Sequence, residues 1–211
     1  MSIIPITALS NSKNYQDFVK QSIIGHLLAD GTLVKKYKGG GTYFKFAQSE
    51  VHLSYLVHVF NLFRNAGLCN MTKPEKGQLK NTKTGKIYTY YYFITKSLVE
   101  FNELESLFYI KNKGSKRIKI VPANIENLLT EVGLAYWFTD DGNKTGKGIH
   151  LNTNCFTTTE ITQLIQVLHE KFDLKCSLHS RNRIYIWTKS TPKFITTVTP
   201  FMVESMKYKI R

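Results

Sequence analysis

The chain has 211 residues, 42% of them hydrophobic and 13% aromatic, enough for one large domain or two small ones around a shared core. Its 29 Lys and Arg against 15 Asp and Glu leave a formal charge of +14, which argues against a neutral metabolite enzyme and for a polyanionic partner. The lysines are spread along the chain and no apolar run approaches the ~20 residues of a membrane span, so neither a lipid surface nor a bilayer suits it.

Residues 1–16 carry one lysine and no arginine, unlike an import or secretory leader. The periodicity predicts a helix over 15–30, with Phe18, Val19, Ile23, Leu27 and Leu28 inward. Gly25 and Ala29, four apart, leave one face open to a second backbone. Residues 32–38 and 42–48 read as a hairpin around Gly39, Gly40 and Gly41. No Gly-Lys-Ser/Thr follows those glycines, so they make a turn and not a phosphate cradle. A helix over 50–65 directs Leu53, Leu56, Val57, Phe60 and Phe63 inward and stops at Gly67. Strands over 68–73 and 87–95 follow, separated by a basic loop at 74–86, and Ser97 caps a helix to about 109. The run Tyr88 to Phe93 is aromatic on both faces, which suits sheet packing first and base stacking second.

Residues 111–119 read as a basic linker, and Pro122 opens the second half. A helix over 124–141 leads to a hairpin of 142–145 with 149–154, turning at 146–148. A helix over 158–172, a hairpin of 174–180 with 183–188 and a helix over 191–203 complete the chain. Both halves therefore read helix–strand–strand–helix–strand–strand–helix, an internal duplication in order of elements. Cys69, Cys155 and Cys176 are far apart, without metal-ligand spacing, and read as reduced thiols.

The helices that open the halves end alike. Residues 23–31 are Ile-Ile-Gly-His-Leu-Leu-Ala-Asp-Gly, and 134–142 are Leu-Ala-Tyr-Trp-Phe-Thr-Asp-Asp-Gly. The glycines are expected to close each helix in the left-handed conformation. The acids are less easily explained, because a carboxylate at a helix C-terminus is disfavoured by up to ~1 kcal/mol. One copy would be an ordinary stop signal; two copies call for positive charge against both helix ends. A hard divalent cation held by carboxylate and carbonyl oxygens would supply it.

Both stretches resemble the motif of the LAGLIDADG homing endonucleases in their single-chain, two-motif form. The second copy, Leu-Ala-Tyr-Trp-Phe with its Asp-Asp-Gly end, resembles the branch typified by the endonuclease of the yeast mitochondrial omega intron. The resemblance implies an α+β fold of two pseudo-symmetric αββαββα repeats, residues 1–110 and 123–211, joined by the linker 111–122. Their antiparallel sheets would form a DNA-binding saddle, with the paired motif helices at the interface. It further implies a monomeric enzyme that cuts one phosphodiester in each strand of a long asymmetric double-stranded DNA target and so promotes intron mobility. Mg²⁺ is the implied cofactor, with Mn²⁺ able to substitute and Ca²⁺ binding without cleavage.

On this resemblance Asp30 and Asp141 hold the metal, with the carbonyl oxygens of Ala29 and Asp140 as further ligands, and the Asp140 side chain caps or meets solvent. Lys119, three before Pro122, and Lys209, in Met-Lys-Tyr-Lys, match lysines of the omega-type enzymes near the metal. Gln48 and Asn154 stand at equivalent strand ends, where the family orders active-site water. Lys35, Lys36, Lys45, Lys73, Lys86, Lys144, Lys147, Arg181 and Arg183 lie on or beside the strands as candidate DNA contacts. His26 and Leu28 depart from the motif's apolar and acidic positions, and Tyr136-Trp137 from its small one. Close helix approach is then uneven, with Gly133 and Ala135 compensating and His26 at the interface. The alternative function is an RNA maturase that binds intron RNA and assists group I splicing; a non-catalytic DNA regulator is a third. The intact acids favour the nuclease. The gene is expected in an organelle, mitochondrion or chloroplast, and the protein soluble and away from membranes.

Overall fold

A computed structural model describes residues 9, 11–35, 40–111 and 116–211. In chain order the first half is α1 (Ser12–Leu28), β1 (Thr32–Lys35), β2 (Thr42–Ser49), α2 (Leu53–Asn65), β3 (Glu75–Lys80), β4 (Ile87–Ile94) and α3 (Val99–Phe108). A small antiparallel pair, β5 (Tyr109–Lys111) and β6 (Arg117–Lys119), bridges the halves. The second half is α4 (Ile125–Leu128), α5 (Glu131–Asp141), β7 (Gly142–Thr145), β8 (Gly148–Asn152), α6 (Thr158–Phe172), β9 (Cys176–His179), β10 (Arg183–Ile186) and α7 (Thr191–Val198).

Each half holds one four-stranded antiparallel sheet with the same connection pattern, β1-β2-β4-β3 and β7-β8-β10-β9. Strand alternation sends Leu33, Phe44, Phe46 and Phe93 to the helix side of the first sheet, where all are fully buried. Phe93 meets Phe44, Phe46, Phe60 and Phe63 at ring separations of 5.4–6.2 Å. Burying each of these rings stabilises the fold by about 2–3 kcal/mol. Ile149, Leu151, Ile184 and Ile186 play the same part in the second sheet beneath α5 and α6.

From residue 22 to 28 in α1 and from 132 to 139 in α5 every residue is buried, as in helices enclosed within a core, whereas the first half of α1 is polar and carries exposed Lys13, Gln16 and Lys20. They pack directly on each other. A Cβ added to Gly25 would lie 2.0 Å from the Gly133 carbonyl oxygen, so the backbones touch at this crossing. Gly25 and Gly133 therefore supply the close approach, and Tyr136 is accommodated by an edge-on contact with Phe18 at 5.9 Å. Asn11 caps α1 through the Asn14 amide, Thr130 caps α5 through that of Gly133, and a Thr157–Glu160 capping box opens α6.

Several expected elements are placed differently. The strand expected at 68–73 is irregular, and β3 lies within the expected loop, leaving a short turn at Asn81 to Lys86. Glu, Lys, Gly and Gln dominate β3, so its pairing with the tyrosine-rich β4 overrides a loop-like composition. The helix expected over 124–141 breaks at Leu129 and Thr130, because Thr130 turns out to be the cap of α5. Ser97 makes no cap; Leu98 precedes α3 without a side-chain cap bond. The last helix stops at Val198 and continues as 3-10 turns, Thr199–Phe201 and Glu204–Ile210. Gly39 and Lys36 lie outside the described residues, as do 112–115 of the linker.

Candidate active site

The C-terminal ends of α1 and α5 emerge together. His26 of α1 reaches Asp140 of α5 at 2.8 Å, which puts the two motif ends side by side. Asp141 is the last residue of α5, whereas α1 stops at Leu28 and Asp30 follows in a turn. Neither closing glycine is left-handed: among the described residues the positive-φ glycines are Gly67, Gly85 and Gly146. Space is the reason for glycine at both places. A Cβ at Gly31 would lie 2.7 Å from the Phe44 ring, and one at Gly142 would lie 2.2 Å from that of Phe138.

Each acid has an amide partner on the neighbouring strand. Gln48 Nε2 donates to Asp30 Oδ2 at 2.6 Å, and Asn152 Nδ2 donates to Asp141 Oδ1 at 3.0 Å. The second partner is thus Asn152 and not the expected Asn154, which is exposed just beyond β8. The register identifies it, because Gly142 pairs with Leu151 and so sets residue 152 beside residue 141.

Each motif end also has its lysine. Lys119 Nζ donates to the carbonyls of Ala29 (2.9 Å) and Gly31 (2.8 Å), and Lys209 Nζ to those of Thr139 (2.7 Å) and Asp140 (3.2 Å). The positive charge that two C-terminal acids demand is supplied, at least in part, by these ammonium groups. They also occupy the Ala29 and Asp140 carbonyl oxygens that were expected as cation ligands. Lys209 arrives on the tail 204–210, anchored by buried Met206 and by Tyr208 stacked on His52 at 6.5 Å.

The acids share an electrostatically stressed space. Burial pushes the Asp30 carboxyl up to about 6, with the charges of Asp140 and Asp141 adding to it and Gln48 and Lys209 opposing. Burial raises Asp141 as well, against the Asn152 hydrogen bond and Lys209. Lys209 is lowered by desolvation and held up by Asp140, Asp141 and Asp30. A cation between these carboxylates would relieve the stress. Two carboxylates with free lone pairs suit a hard divalent ion completed by water and substrate oxygens. Among the described residues, no group of three or more His, Cys, Asp or Glu side chains is placed to hold a metal without such help. A recess of about 430 Å³ opens beside Asp141, Asn152 and Lys209.

The Asp140 side chain neither caps nor meets solvent, contrary to the expectation from its sequence position. It is fully buried, bound to His26 and, at 2.5 Å, to the Tyr55 hydroxyl. His26 is interfacial, as expected.

The open faces of the sheets are more aromatic and less basic than expected. Alternation puts Tyr43, Lys45, Tyr90 and Tyr92 on the first, with Lys45 Nζ 4.8 Å above the Tyr92 ring. His150, Asn152, Arg183 and Tyr185 lie on the second, where His179 stacks on Tyr185 at 4.4 Å. Lys35 and Lys144 pair with Thr42 and Ile149, and paired residues share a face, so these two exposed lysines lie on the helix side and not on the open faces. Lys73 precedes β3, Lys86 ends the turn before β4, and Lys147 and Arg181 stand in hairpin turns.

Comparison with known proteins places this arrangement. A family profile described as "LAGLIDADG DNA endonuclease family" matches residues 20–194. The cytochrome b mRNA maturase bI2 of Saccharomyces cerevisiae is 37% identical over 195 residues, 89% of this chain, which spans 46% of that protein's length. The intron-encoded endonuclease ai4 of Dictyostelium discoideum is 33% identical over 159 residues, covering 72% of this chain and 98% of that one. Among solved structures, the homing endonuclease I-WcaI bound to its DNA recognition sequence matches with a TM-score of 0.80 and 27% identity, over 94% of this chain and 91% of that chain. The chain belongs to the LAGLIDADG DNA endonuclease family.

Proposed function

We propose that this protein is a monomeric, Mg²⁺-dependent homing endonuclease that hydrolyses one phosphodiester on each strand of a long double-stranded DNA site. One observation carries the reading. Two acids, one from each repeat, are brought to a common place by helices packed backbone to backbone, each with its own amide and its own lysine. A stability role would not call for that repetition, since each acid sits at the disfavoured end of its helix.

The repeats, 1–110 and 123–211, would straddle the duplex, with the two open sheet faces in the major groove, where base edges carry a full donor–acceptor code. Lys45, Arg183 and the exposed cations in the turns would contact phosphates and set register. When bound at Asp30 and Asp141, Mg²⁺ supplies Lewis-acid polarisation of the phosphate and a more acidic attacking water. Gln48 and Asn152 hold one oxygen of each carboxylate and leave the other for the ion. Lys119 and Lys209 place ammonium charge beside the reacting phosphates, where negative charge develops. The neighbour in complex with its DNA recognition sequence supports this reading.

The second reading is an RNA maturase, favoured by relatives at 37% and 35% identity that bear that name. Either reading places the gene in an organellar intron. The test is incubation with a randomised double-stranded DNA library, in Mg²⁺ and separately in Ca²⁺. The nuclease reading expects cutting at one long site in Mg²⁺ and binding without cutting in Ca²⁺. Tight intron RNA binding with no DNA cleavage in either ion would overturn it in favour of the maturase.

A further inference from the structure

One residue before Asp141, a buried carboxylate is held entirely by the other half of the molecule. Asp140 Oδ2 lies 2.8 Å from His26 Nδ1 on α1, and Oδ1 accepts from the Tyr55 hydroxyl on α2 at 2.5 Å. His26 and Asp140 are fully enclosed, and Tyr55 is 1% exposed. A carboxylate offers only lone pairs, so both partners donate. Such a group is costly to bury unless its donors are fixed, which makes this a tether and not a loose contact. The His26 ring cannot swing away, being wedged against Phe46 at 4.7 Å and Tyr136 at 4.8 Å, and its Nε2 has no other partner. Lys209 binds the Asp140 carbonyl, so the residue before Asp141 is fixed at both side chain and main chain.

The other motif has nothing comparable. The residue before Asp30 is Ala29, and the α5 counterpart of His26, four before the acid, is Trp137. The Trp137 Nε1 is buried without a hydrogen-bond partner. Asp30 is therefore placed by Gln48, Lys119 and its turn, which the Ala29 and Gly31 amides close on the His26 main-chain carbonyl at 3.1 and 2.7 Å without using the His26 side chain, whereas Asp141 also has a polar side-chain tether across the interface.

We infer that His26, Tyr55 and Asp140 are positioning residues for Asp141 alone, so that the tether governs one of the two strand cuts and leaves the other to Asp30. This rests on the nuclease reading above. A displacement of a reacting group by about 1 Å costs on the order of a hundredfold in rate, so a loosened tether would be read out in the chemistry at one acid. Tyr55→Phe is the cleanest probe, because it removes one donor and leaves the charge of Asp140, which both acids feel, in place. His26→Leu removes the other donor, and His26→Gln restores an amide donor.

The experiment uses the full chain and a plasmid carrying its recovered site, each strand labelled separately. Tyr55→Phe and His26→Leu are expected to slow the same strand by about tenfold and the other by less than about twofold, so that nicked circles accumulate. His26→Gln is expected to return the strand ratio towards that of the parent. Affinity for the site in Ca²⁺ should stay within about threefold, since the tether touches no open sheet face. General loss of stability lowers both rates together and cannot produce the ratio. Equal slowing of both strands, slowing of neither, or different strands for the two variants would overturn the inference while the parent still cuts. A parent that cuts neither strand would overturn it together with the nuclease reading.

Discussion

At the scale of single residues, the two acids explain why so much chemistry converges on two helix ends. Asp30 titrates near 6 in the folded chain against an ordinary 3.8. The folded state therefore binds that proton more tightly than the unfolded chain does. Its stability rises as the pH falls through about 6 towards 3.8, and the charged carboxylate destabilises the fold at neutral pH. Asp30 reaches solvent, so the effect is modest. Asp30→Asn is expected to raise the melting temperature of the metal-free protein at neutral pH by about 2 °C while abolishing double-strand cleavage. Calorimetry and a cleavage assay check both halves of that statement; an unchanged cutting rate would remove Asp30 from the site.

That Asp30, Asp141, Gln48, Lys119 and Lys209 gather at the two helix ends was legible from their places in the two motifs and the local matches. Asn152 was not, although counting the pairs back from Gly142 along the hairpin identifies it. The fate of Asp140 was hidden for a different reason. Nothing local to an Asp-Asp-Gly end announces that His26 and Tyr55, remote in sequence, will enclose one of the two acids.

At the scale of elements, the crossing of α1 and α5 brings the two motif ends together. Gly25 meets the Gly133 carbonyl so closely that any Cβ must push the helices apart. Gly25→Ala is expected to cost about 2–3 kcal/mol by overpacking, read as a lowered denaturant midpoint, and to reduce cleavage more than DNA binding. An unchanged midpoint would mean the crossing relaxes freely. Elements with strong periodicity were legible: α6 runs from Thr158 to Phe172 as its apolar spacing requires. Those fixed by tertiary partners were not. The strand β3 exists because β4 pairs with it, and the break between α4 and α5 serves the Thr130 cap. The glycines after the acids were read as conformational and proved to be steric, because the rings of Phe44 and Phe138 fill the places of their Cβ atoms.

At the scale of the whole molecule, duplicated element order was visible in the sequence, and two sheets of matching strand order answer it. Few of the cations behind the excess charge of +14 that were expected as DNA contacts lie on the open sheet faces. Tyrosines and histidines occupy the open faces beside Lys45 and Arg183, while many cations stand at turns and strand ends, where on the proposed function they would meet backbone phosphate at the margins. Base-edge contacts would then fall to the aromatic and amide side chains within. On the proposed function, one acid from each repeat holds divalent metal against a nucleic-acid backbone. Anomalous scattering from Mn²⁺ in crystals of the protein with its cleaved DNA site tests it most directly. Mn²⁺ is expected within ~2–2.5 Å of carboxylate oxygens of both Asp30 and Asp141 and of scissile phosphate oxygens. Mn²⁺ bound elsewhere, with no peak at either acid, would contradict it.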